Sequence, residues 1–350
     1  MKNSYGMELP ISEEIDTVKY RQRGEDFYGK CVRIANALKD SDEHFDSFKD
    51  ALLNMRFLAA GRVQNAMGAT RQTTAYNCFV SGTIEDSMDS IMQRATQAAE
   101  TMRKGGGIGY DFSNLRPRGD LIKSLDSRSS GVVSFMGIYD AICQTIASSG
   151  HRRGAQMGIL RIDHPDIESF ITAKNDSTSL TGFNISIAVT DEFMQCLETH
   201  RPFPLTFEGR VYKEVDPVAL WDQIMRSTWD WAEPAVVFID TINDMNNLWY
   251  TEEICATNPC GEQPLPPFGA CLLGSFNLTK YVVTKSPHDA ISDKTFDLGL
   301  FQEDIRNVVR AMDNVIDRTI YPLPEQKQEA QNKRRMGLGI TGLANAGEML

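Results

Sequence analysis

The sequence predicts an α/β fold built from parallel β/α units. Short apolar runs rich in Val, Ile and Phe alternate with longer segments of helical periodicity along most of the chain, a pattern typical of a parallel sheet flanked by helices. The chain has 350 residues, of which 41% are hydrophobic and 24% charged. It is therefore long enough to bury a large core.

The first part of the chain predicts a helical segment over residues 1–70, followed by the α/β domain over residues 71–350. Between residues 12 and 57, apolar side chains recur at helical spacing with charged residues between them. The clearest of these are Ile15, Val18, Phe27, Cys31, Ile34 and Leu38.

The α/β region predicts strands separated by helices or loops. The predicted strands are 76–84, 108–112, 157–162, 182–189, 235–240 and 271–278. The predicted helices lie between Asp86 and Met102, over 132–148, from Pro165 onward, over 191–198 and over 217–232. Residues 114–131 and 257–270 predict loops, and the end of the chain predicts helices followed by the beginning of another β/α unit.

The charge of the chain limits its partners. The net charge is −11 and the isoelectric point is near 5.0, which argues against a general nucleic-acid or membrane-surface binder, because such proteins present a basic surface. A nucleotide substrate is not excluded. The sequence contains no run of about 18 apolar residues, and its beginning lacks the apolar core of a signal peptide. We therefore expect a cytoplasmic protein without membrane contact.

The cysteines do not form a secreted disulfide framework or a zinc site. The sequence has no CxxC pair and no Cys/His cluster with metal-ligand spacing, so we predict no metal site. Most of the thiols are expected to be small buried side chains. The seven are Cys31, Cys78, Cys143, Cys196, Cys255, Cys260 and Cys271.

The most informative loop is the segment Asn-Pro-Cys-Gly-Glu at 258–262. In extended backbone, Asn258, Cys260 and Glu262 would point the same way. An amide, a thiol and a carboxylate facing one site could bind a hydroxylated substrate, take a hydrogen from it and move protons. A cysteine protease would instead need a base such as His near Cys260, and the five histidines have no informative spacing to it.

Two further cysteines lie in predicted strands. Cys78 is in NCFVSG and Cys271 begins CLLGSFNL. If these strands are neighbours, the two thiols could reach the roughly 5.5 Å Cα separation of a disulfide. A purely structural role is the common alternative for a cysteine in a strand, since Cys is among the most buried residue types.

Four motifs resemble the ribonucleotide reductase family in the same order as in that family. The segment containing Cys260 and Cys271 resembles its active-site signature, particularly that of the adenosylcobalamin-dependent class II enzymes, and reads NPCGEQPLPPFGACLLGSFNL. The other three are YNCFVSGTIEDSMDSI, KGGGIGYDFSNLRPRG and SGHRRGAQMGIL. The similarity extends from about residue 12 to the C-terminus.

The resemblance implies part of a ten-stranded α/β barrel and a radical reaction that makes deoxyribonucleotides for DNA synthesis. Cys260 would lie at the tip of a finger loop and, as a thiyl radical, abstract the ribose 3′-hydrogen. Glu262 would act as base on the 3′-hydroxyl and Asn258 would bind the ribose. Cys78 and Cys271 would supply two electrons and end as a disulfide. The enzyme would be an oxidoreductase acting on CH or CH₂ groups with a disulfide as acceptor.

The resemblance also implies an allosteric site for a dNTP or ATP. Asp86 and Arg116 match effector-contacting residues, and residues 114–131 resemble the effector loop. Arg153 and Gln156 match a neighbouring segment that contacts the substrate base. Without the motifs, each of these would be interpreted as a solvated loop residue.

The glycines of KGGGIG do not predict a nucleotide loop. The pattern GxxxxGK[ST] is absent, and these glycines follow a predicted helix and precede a strand, the reverse of a Rossmann turn. We expect Gly106, Gly107 and Gly109 to allow tight packing near the barrel interior.

The family resemblance leaves the radical source and the partners open. Family catalytic chains are longer, so we expect the N-terminal portion of a split or truncated chain that is inactive without its C-terminal half, supplied as a separate chain. The radical source is adenosylcobalamin or, as in class I enzymes, a metal-containing small subunit. The substrate is a ribonucleoside di- or triphosphate, thioredoxin or glutaredoxin is the reductant, and a homodimer is compatible with the family. The alternatives are a non-catalytic dNTP-binding remnant and a thiol-disulfide oxidoreductase, the latter disfavoured by the absence of CxxC.

Overall fold

The computed structural model describes residues 6–7, 9–122, 126–146, 154–176, 178–284 and 294–350. Its helices are α1 (Pro10–Lys19), α2 (Phe27–Leu38), α3 (Asp42–Leu53), α4 (Gly61–Ala66), α5 (Met88–Arg103), α6 (Val132–Thr145), α7 (Ile167–Ile171), α8 (Asp191–Thr199), α9 (Pro217–Trp231), α10 (Ile239–Asp244), α11 (Leu298–Arg318), α12 (Pro324–Lys333) and α13 (Leu343–Met349). Its strands are β1 (Phe57–Ala59), β2 (Cys78–Val80), β3 (Gly107–Asp111), β4 (Leu121–Ile122), β5 (Ser127–Arg128), β6 (Gln156–Arg161), β7 (Phe183–Val189), β8 (Phe203–Phe207), β9 (Arg210–Val215), β10 (Ala235–Phe238), β11 (Ala256–Thr257), β12 (Pro264–Leu265), β13 (Leu273–Asn277), β14 (Val282–Thr284), β15 (Lys294–Phe296) and β16 (Gly337–Thr341). A 3₁₀ helix spans Leu278–Tyr281.

The chain divides into two compact units. Unit 1 contains residues 1–77 and 271–350, and unit 2 contains residues 78–270. This division differs from the predicted boundary near residue 70. Because β13 pairs with β1 and α11 packs against α2 and α3, the segment after residue 271 groups with the N-terminal helices.

Unit 2 is built on a five-stranded sheet with the order β10-β7-β6-β3-β2. All four neighbouring pairs are parallel, and helices connect successive strands, as the alternation of apolar runs and helical segments predicts. The predicted α/β fold is confirmed. The described residues of unit 2 form an open sheet and do not close a barrel.

The two faces of this sheet have different partners. Along β7, Phe183, Ile185, Ile187 and Val189 belong to the hydrophobic core formed with the helices. Since side chains alternate along a strand, Asn184 and Ser186 are on the opposite face. That second face is where the candidate site lies.

Side-chain caps begin several helices near their predicted starts. The Ser87 hydroxyl accepts a hydrogen bond from the Ser90 N–H at α5, and Thr190 accepts one from Phe193 at α8. Asp216 caps α9, which has Pro217 in its first turn. Each cap satisfies a backbone N–H that lacks a partner within the helix.

One predicted strand is shorter in the structure, and one hairpin of the structure was not predicted. The predicted strand over 76–84 is shorter, since β2 covers only Cys78–Val80. The hairpin β8–β9 was not predicted. Its turn places both Glu208 and Gly209 at positive φ, +47° and +75°, and Glu is an unusual residue for that conformation.

Unit 1 combines helices with a three-stranded sheet of order β1-β13-β16. The prediction of helices before residue 57 is confirmed by α1, α2 and α3. Arg56 donates to Asp304 over 2.6 Å, with both side chains under a tenth exposed, and the Tyr281 hydroxyl donates to the same carboxylate over 2.8 Å. Removing one partner would leave a buried charge unpaired, which is strongly destabilising. Within the described ranges, no helix has the length and apolarity needed to cross a membrane.

Candidate active site

The segment with the Asn-Pro-Cys-Gly-Glu motif folds into a hairpin, here called the finger loop (residues 256–265). Its base is the antiparallel pair β11–β12, in which Ala256 faces Leu265 and Thr257 faces Pro264. At its tip, the Gly261 N–H donates to the Asn258 carbonyl over 3.0 Å. Gly261 has φ +82°, which glycine adopts without steric cost. The tip is therefore a closed turn with Pro259 and Cys260 at its centre.

The expected extended backbone at 258–262 is wrong, because this turn reverses the chain. Asn258 is fully buried, whereas Cys260 and Glu262 are exposed. The Asn258 Oδ1 accepts from the Gln263 N–H over 2.9 Å, so this side chain braces the hairpin. Its Nδ2 is buried without a hydrogen-bond partner among the described residues. A buried amide donor in this state is costly unless a ligand accepts from it.

The finger loop lies directly on the sheet at two glycines of β3. A Cβ at Gly109 would lie 1.8 Å from the Thr257 carbonyl oxygen, and a Cβ at Gly107 would lie 2.9 Å from Pro259 Cγ. No side chain fits at either position while the loop is in place. The prediction that these glycines allow tight packing is confirmed, and the finger loop is what they accommodate.

Cys78 lies on the same face of the sheet as the finger loop. The Cβ position at Gly107 that approaches Pro259 is also 3.6 Å from the Cys78 Sγ. The Cys78 side chain is buried, with 2% of its surface exposed. The structure thus brings the first predicted redox cysteine close to Pro259, which directly precedes Cys260 at the tip of the finger loop.

Cys271 belongs to unit 1, where it is buried and its carbonyl accepts from the Asn77 N–H over 3.4 Å. Within unit 2, Phe79 and Ala270 form an antiparallel bridge. Cys78 directly precedes Phe79 and Cys271 directly follows Ala270. The disulfide between the two cysteines stays a prediction.

A further thiol, Cys255, was not singled out from the sequence. Burial, with smaller contributions from Asp111 and Glu253, raises the pKa of Cys255 to about 12. Burial also raises the pKa of the Asp111 carboxyl, although hydrogen bonds from Ser113 oppose this. Cys255 is therefore protonated at neutral pH, and its signal in the sequence was only its position five residues before Cys260.

A cleft of about 400 Å³ lies at the carboxyl ends of the β2, β3 and β6 strands. Its lining residues are mostly acidic or polar. They are Glu85, Asp86, Ser113, Asn114, Arg161, Asp163, His164, Thr206, Phe207 and Glu208. Carboxylates accept hydrogen bonds, so this lining suits the hydroxyl groups of a sugar better than it suits phosphate groups.

The two predicted effector residues meet at this cleft. The Arg116 Nε donates to Asp86 over 2.6 Å, and the Arg116 backbone N–H donates to the same carboxylate over 3.2 Å. The Arg116 guanidinium also donates to the Leu121 carbonyl over 3.1 Å. The ion pair orders the start of the predicted effector loop 114–131, of which residues 123–125 lie outside the described residues.

His164 and Asp166 anchor this loop and were not predicted. The His164 Nε2 bonds to the Leu115 carbonyl over 2.8 Å, while its Nδ1 accepts from the Asp166 N–H over 3.0 Å. This pattern requires neutral His164, and burial lowers its pKa accordingly. The Asp166 carboxylate accepts from the backbone N–H groups of Arg118 and Val132, each over 3.0 Å. The sequence His-Pro-Asp after a predicted strand was the available signal.

Of the two residues expected to contact the substrate base, the structure describes only Gln156. Gln156 is buried on the helix-facing side of the sheet, where it accepts from the Tyr110 hydroxyl over 2.8 Å and donates to the Tyr139 carbonyl over 3.2 Å. Because its neighbour Met157 faces the finger loop, Gln156 points the other way, and we do not propose it as a substrate ligand. Arg153 lies outside the described residues.

The parallel sheet with a finger loop packed on one face gives the class of this domain as α/β, and the sequence comparison gives its family. The chain matches the family described as "Ribonucleotide reductase, barrel domain" over residues 76–347. The chain belongs to the ribonucleotide reductase family.

Individual relatives carry more specific names. A vitamin B12-dependent ribonucleoside-diphosphate reductase of Mycobacterium tuberculosis (strain CDC 1551 / Oshkosh) is 40% identical over 304 residues, covering 85% of this chain and 42% of that protein. A protein of the same name from Thermoplasma acidophilum is 36% identical over 306 residues, covering 86% and 38%. A vitamin B12-dependent ribonucleotide reductase of Streptomyces clavuligerus is 29% identical over 371 residues, covering 98% and 37%. The chain thus spans about two fifths of the length of these relatives.

Proposed function

We propose that this chain carries the thiyl-radical centre of a ribonucleotide reductase and reduces the ribose of a ribonucleotide to deoxyribose. The observation that carries the proposal is the finger loop. It presents Cys260 as an exposed thiol at its tip, while Thr257 and Pro259 of the loop lie against Gly109 and Gly107, next to the buried thiol of Cys78. An exposed thiol on a rigidly supported turn suits hydrogen abstraction, since the reacting atoms must be held close and aligned.

The proposed reaction uses three cysteines in two roles. Cys260, as a thiyl radical, takes the 3′-hydrogen of the ribose and later returns it. Cys78 and Cys271 give two electrons and two protons, the 2′-hydroxyl leaves as water, and the two sulfurs form a disulfide. The pairing of Phe79 with Ala270, which are covalently bonded to these two cysteines, supports the proposal.

Glu262 and Asn258 are the proposed polar partners of the substrate. Glu262 is exposed two residues beyond Cys260, where a carboxylate can act as base on the 3′-hydroxyl. The unpartnered Nδ2 of buried Asn258 is suited to donate to a ribose hydroxyl. In this proposal Asn258 both braces the loop and contacts the substrate.

The cleft beside Asp86 is the proposed effector site. We propose that a dNTP or ATP binds there through the 3′-hydroxyl of its sugar, with Arg116 held in place by its pairing with Asp86. Order in the loop 114–131 would then report occupancy of the cleft.

Adenosylcobalamin is the proposed cofactor, because the relatives named above are called vitamin B12-dependent. When bound, it would supply the radical that reaches Cys260. The exposure of Cys260 fits such a bulky radical source, which needs open access to the thiol. The names of two relatives favour a ribonucleoside diphosphate substrate. A protein dithiol such as thioredoxin or glutaredoxin would re-reduce the disulfide, a cytoplasmic reaction.

The proposed partner is the polypeptide that corresponds to the rest of the relatives' length. The test is ribonucleoside diphosphate reduction by this chain combined with that polypeptide, with and without adenosylcobalamin, alongside the Cys260→Ser variant. We expect cobalamin-dependent turnover that Cys260→Ser abolishes while dNTP binding is retained. Turnover that needs a metal-loaded small subunit would replace the cofactor assignment, and dNTP binding without any turnover would favour a non-catalytic remnant.

A further inference from the structure

A residue of the sheet is hydrogen-bonded to the tip of the finger loop. Asn184 lies on β7, between the core residues Phe183 and Ile185, and so faces the side of the sheet that holds the loop. Its Nδ2 donates to the Pro259 carbonyl over 2.7 Å. The two residues are 75 positions apart in the chain, so this is a tertiary contact.

The acceptor of this bond belongs to the peptide group that joins Pro259 to Cys260. That group is planar, so holding its oxygen also fixes the direction in which the backbone enters Cys260. The close approaches at Gly107 and Gly109 only prevent the loop from moving toward the sheet. The hydrogen bond from Asn184 opposes movement away from it.

We propose that Asn184 is a positioning residue for Cys260, holding the finger loop against the sheet so that the thiol has one fixed place above it. This inference rests on the function proposed above and adds a residue to it. Asn184 acts through the Pro259 carbonyl and is not itself a catalytic residue. Its side chain is exposed, so replacing it does not open the core.

The test uses three substitutions with different hydrogen-bonding ability. Asn184→Asp keeps the shape but places a carboxylate against a carbonyl oxygen, and Asn184→Ser shortens the side chain so that it cannot reach. Asn184→His retains an N–H donor near the same place. Gln195→Glu, on the exposed surface of α8, is the matched control for changing an amide into an acid.

The first measurement needs no activity. A nitroxide attached to Cys260, the exposed thiol, reports loop motion by electron paramagnetic resonance in this chain, with thermal unfolding followed in parallel. We expect greater nitroxide mobility in Asn184→Asp and Asn184→Ser, with mobility like the wild type in Asn184→His and Gln195→Glu. Unchanged mobility in both loss-of-bond variants would overturn the proposal.

The second measurement separates turnover from binding in the completed enzyme. A misplacement of about 1 Å at a reacting group can cost on the order of 10²-fold in rate, so kcat should fall by roughly that factor in Asn184→Asp and Asn184→Ser, with KM changed by less than about 3-fold. Asn184→His should recover most of kcat. Equal losses in all three Asn184 variants would contradict positioning. If the wild type has no turnover, the proposed function fails and the nitroxide result alone decides the role of Asn184.

Discussion

Replacing Gly109 by alanine should move the finger loop and nearly abolish turnover. The new Cβ would lie 1.8 Å from the Thr257 carbonyl oxygen, and real Cβ contacts are not shorter than 3.0 Å. The loop backbone would therefore have to retreat by at least about 1.2 Å, the difference between these two distances. A displacement of that size at the base of the loop is transmitted to Cys260.

Two costs follow from this displacement. Overpacking at a buried contact typically destabilises a protein by about 1–3 kcal/mol, which should appear as a lower urea midpoint for Gly109→Ala. Turnover of the completed enzyme should fall by roughly 10²-fold, the cost of misplacing a reacting group by about 1 Å. The nitroxide at Cys260 gives an independent measure of loop movement if the variant proves inactive for other reasons.

Gly137→Ala is the matched control. Gly137 lies in α6, and among the described residues no atom other than those of its chain neighbours and of the adjacent helix backbone lies within 4 Å of the Cβ position there. Alanine is favoured over glycine inside a helix by up to about 1 kcal/mol, so this variant should be as stable as the wild type or slightly more stable. Wild-type turnover and an unchanged nitroxide spectrum in Gly109→Ala would refute the account of how the loop is supported.

Three further predictions concern thiol reactivity, pH and the effector cleft. At pH 8, iodoacetamide should modify exposed Cys260 well before Cys255. The Cys255 thiol has a pKa of about 12, so only a fraction on the order of 10⁻⁴ of it is ionised at this pH. Peptide mass spectrometry of a time course measures the order of modification, and the reverse order would contradict the prediction. Burial lowers the pKa of His164 in the folded state. As the pH falls, the imidazole of the unfolded chain is therefore protonated before that of the folded chain. The stability contributed by neutral His164 is fully present above about pH 6.5 and is lost as the pH falls toward the folded-state pKa. When urea unfolding is measured at pH 7, 6 and 5, the free energy of unfolding should fall less with decreasing pH in His164→Asn than in the wild type. An equal fall in both proteins would contradict a neutral His164 in the folded state. Asp86→Asn should weaken dNTP binding at least about 10-fold in calorimetry while changing the unfolding free energy by less than about 1 kcal/mol, because its ion pair with Arg116 is partly exposed; unchanged affinity would remove Asp86 from the site.

The strands and helices of unit 2 were largely predictable because local patterns determine them. The run at 182–189 alternates large apolar and small or polar side chains, and the structure has β7 at Phe183–Val189 with the apolar residues in the core. The helical pattern after Asp86 became α5, with its cap at Ser87. In both segments the pattern of apolar residues and the backbone preference of the residues favour the same element, so the sequence alone was sufficient to predict the strand and the helix.

The conformation of the finger loop was not predictable to the same degree. Alternation along an extended chain suggested that Asn258 and Cys260 face one way, but the turn closed by Gly261 buries one and exposes the other. Pro259 in the second position of that turn was a usable local signal. The close approach to Gly107 and Gly109 depends on residues about 150 positions earlier, and no local pattern reports it.

Contacts between distant residues account for the other omissions. The role of Asn184 was not predicted, because its hydrogen-bond partner is a backbone carbonyl, that of Pro259. In the sequence, Asn184 cannot be distinguished from any other exposed strand residue. Gln156 was expected to contact the substrate, but its side-chain amide is hydrogen-bonded to the Tyr110 hydroxyl of β3 and to the Tyr139 carbonyl of α6. A contact between this segment and the substrate base stays a prediction, and the alternation of side chains along the strand decides the direction in which Gln156 points.

The most direct test of the central claim is a single turnover without external reductant, followed by mapping of the disulfides. The completed enzyme, its substrate and adenosylcobalamin would be mixed, quenched in acid and digested under non-reducing conditions for mass spectrometry. The account predicts one deoxyribonucleotide per active chain and one new disulfide, joining Cys78 to Cys271, with Cys260 still a thiol. Product formed without that disulfide, or with a disulfide that includes Cys260, would contradict it.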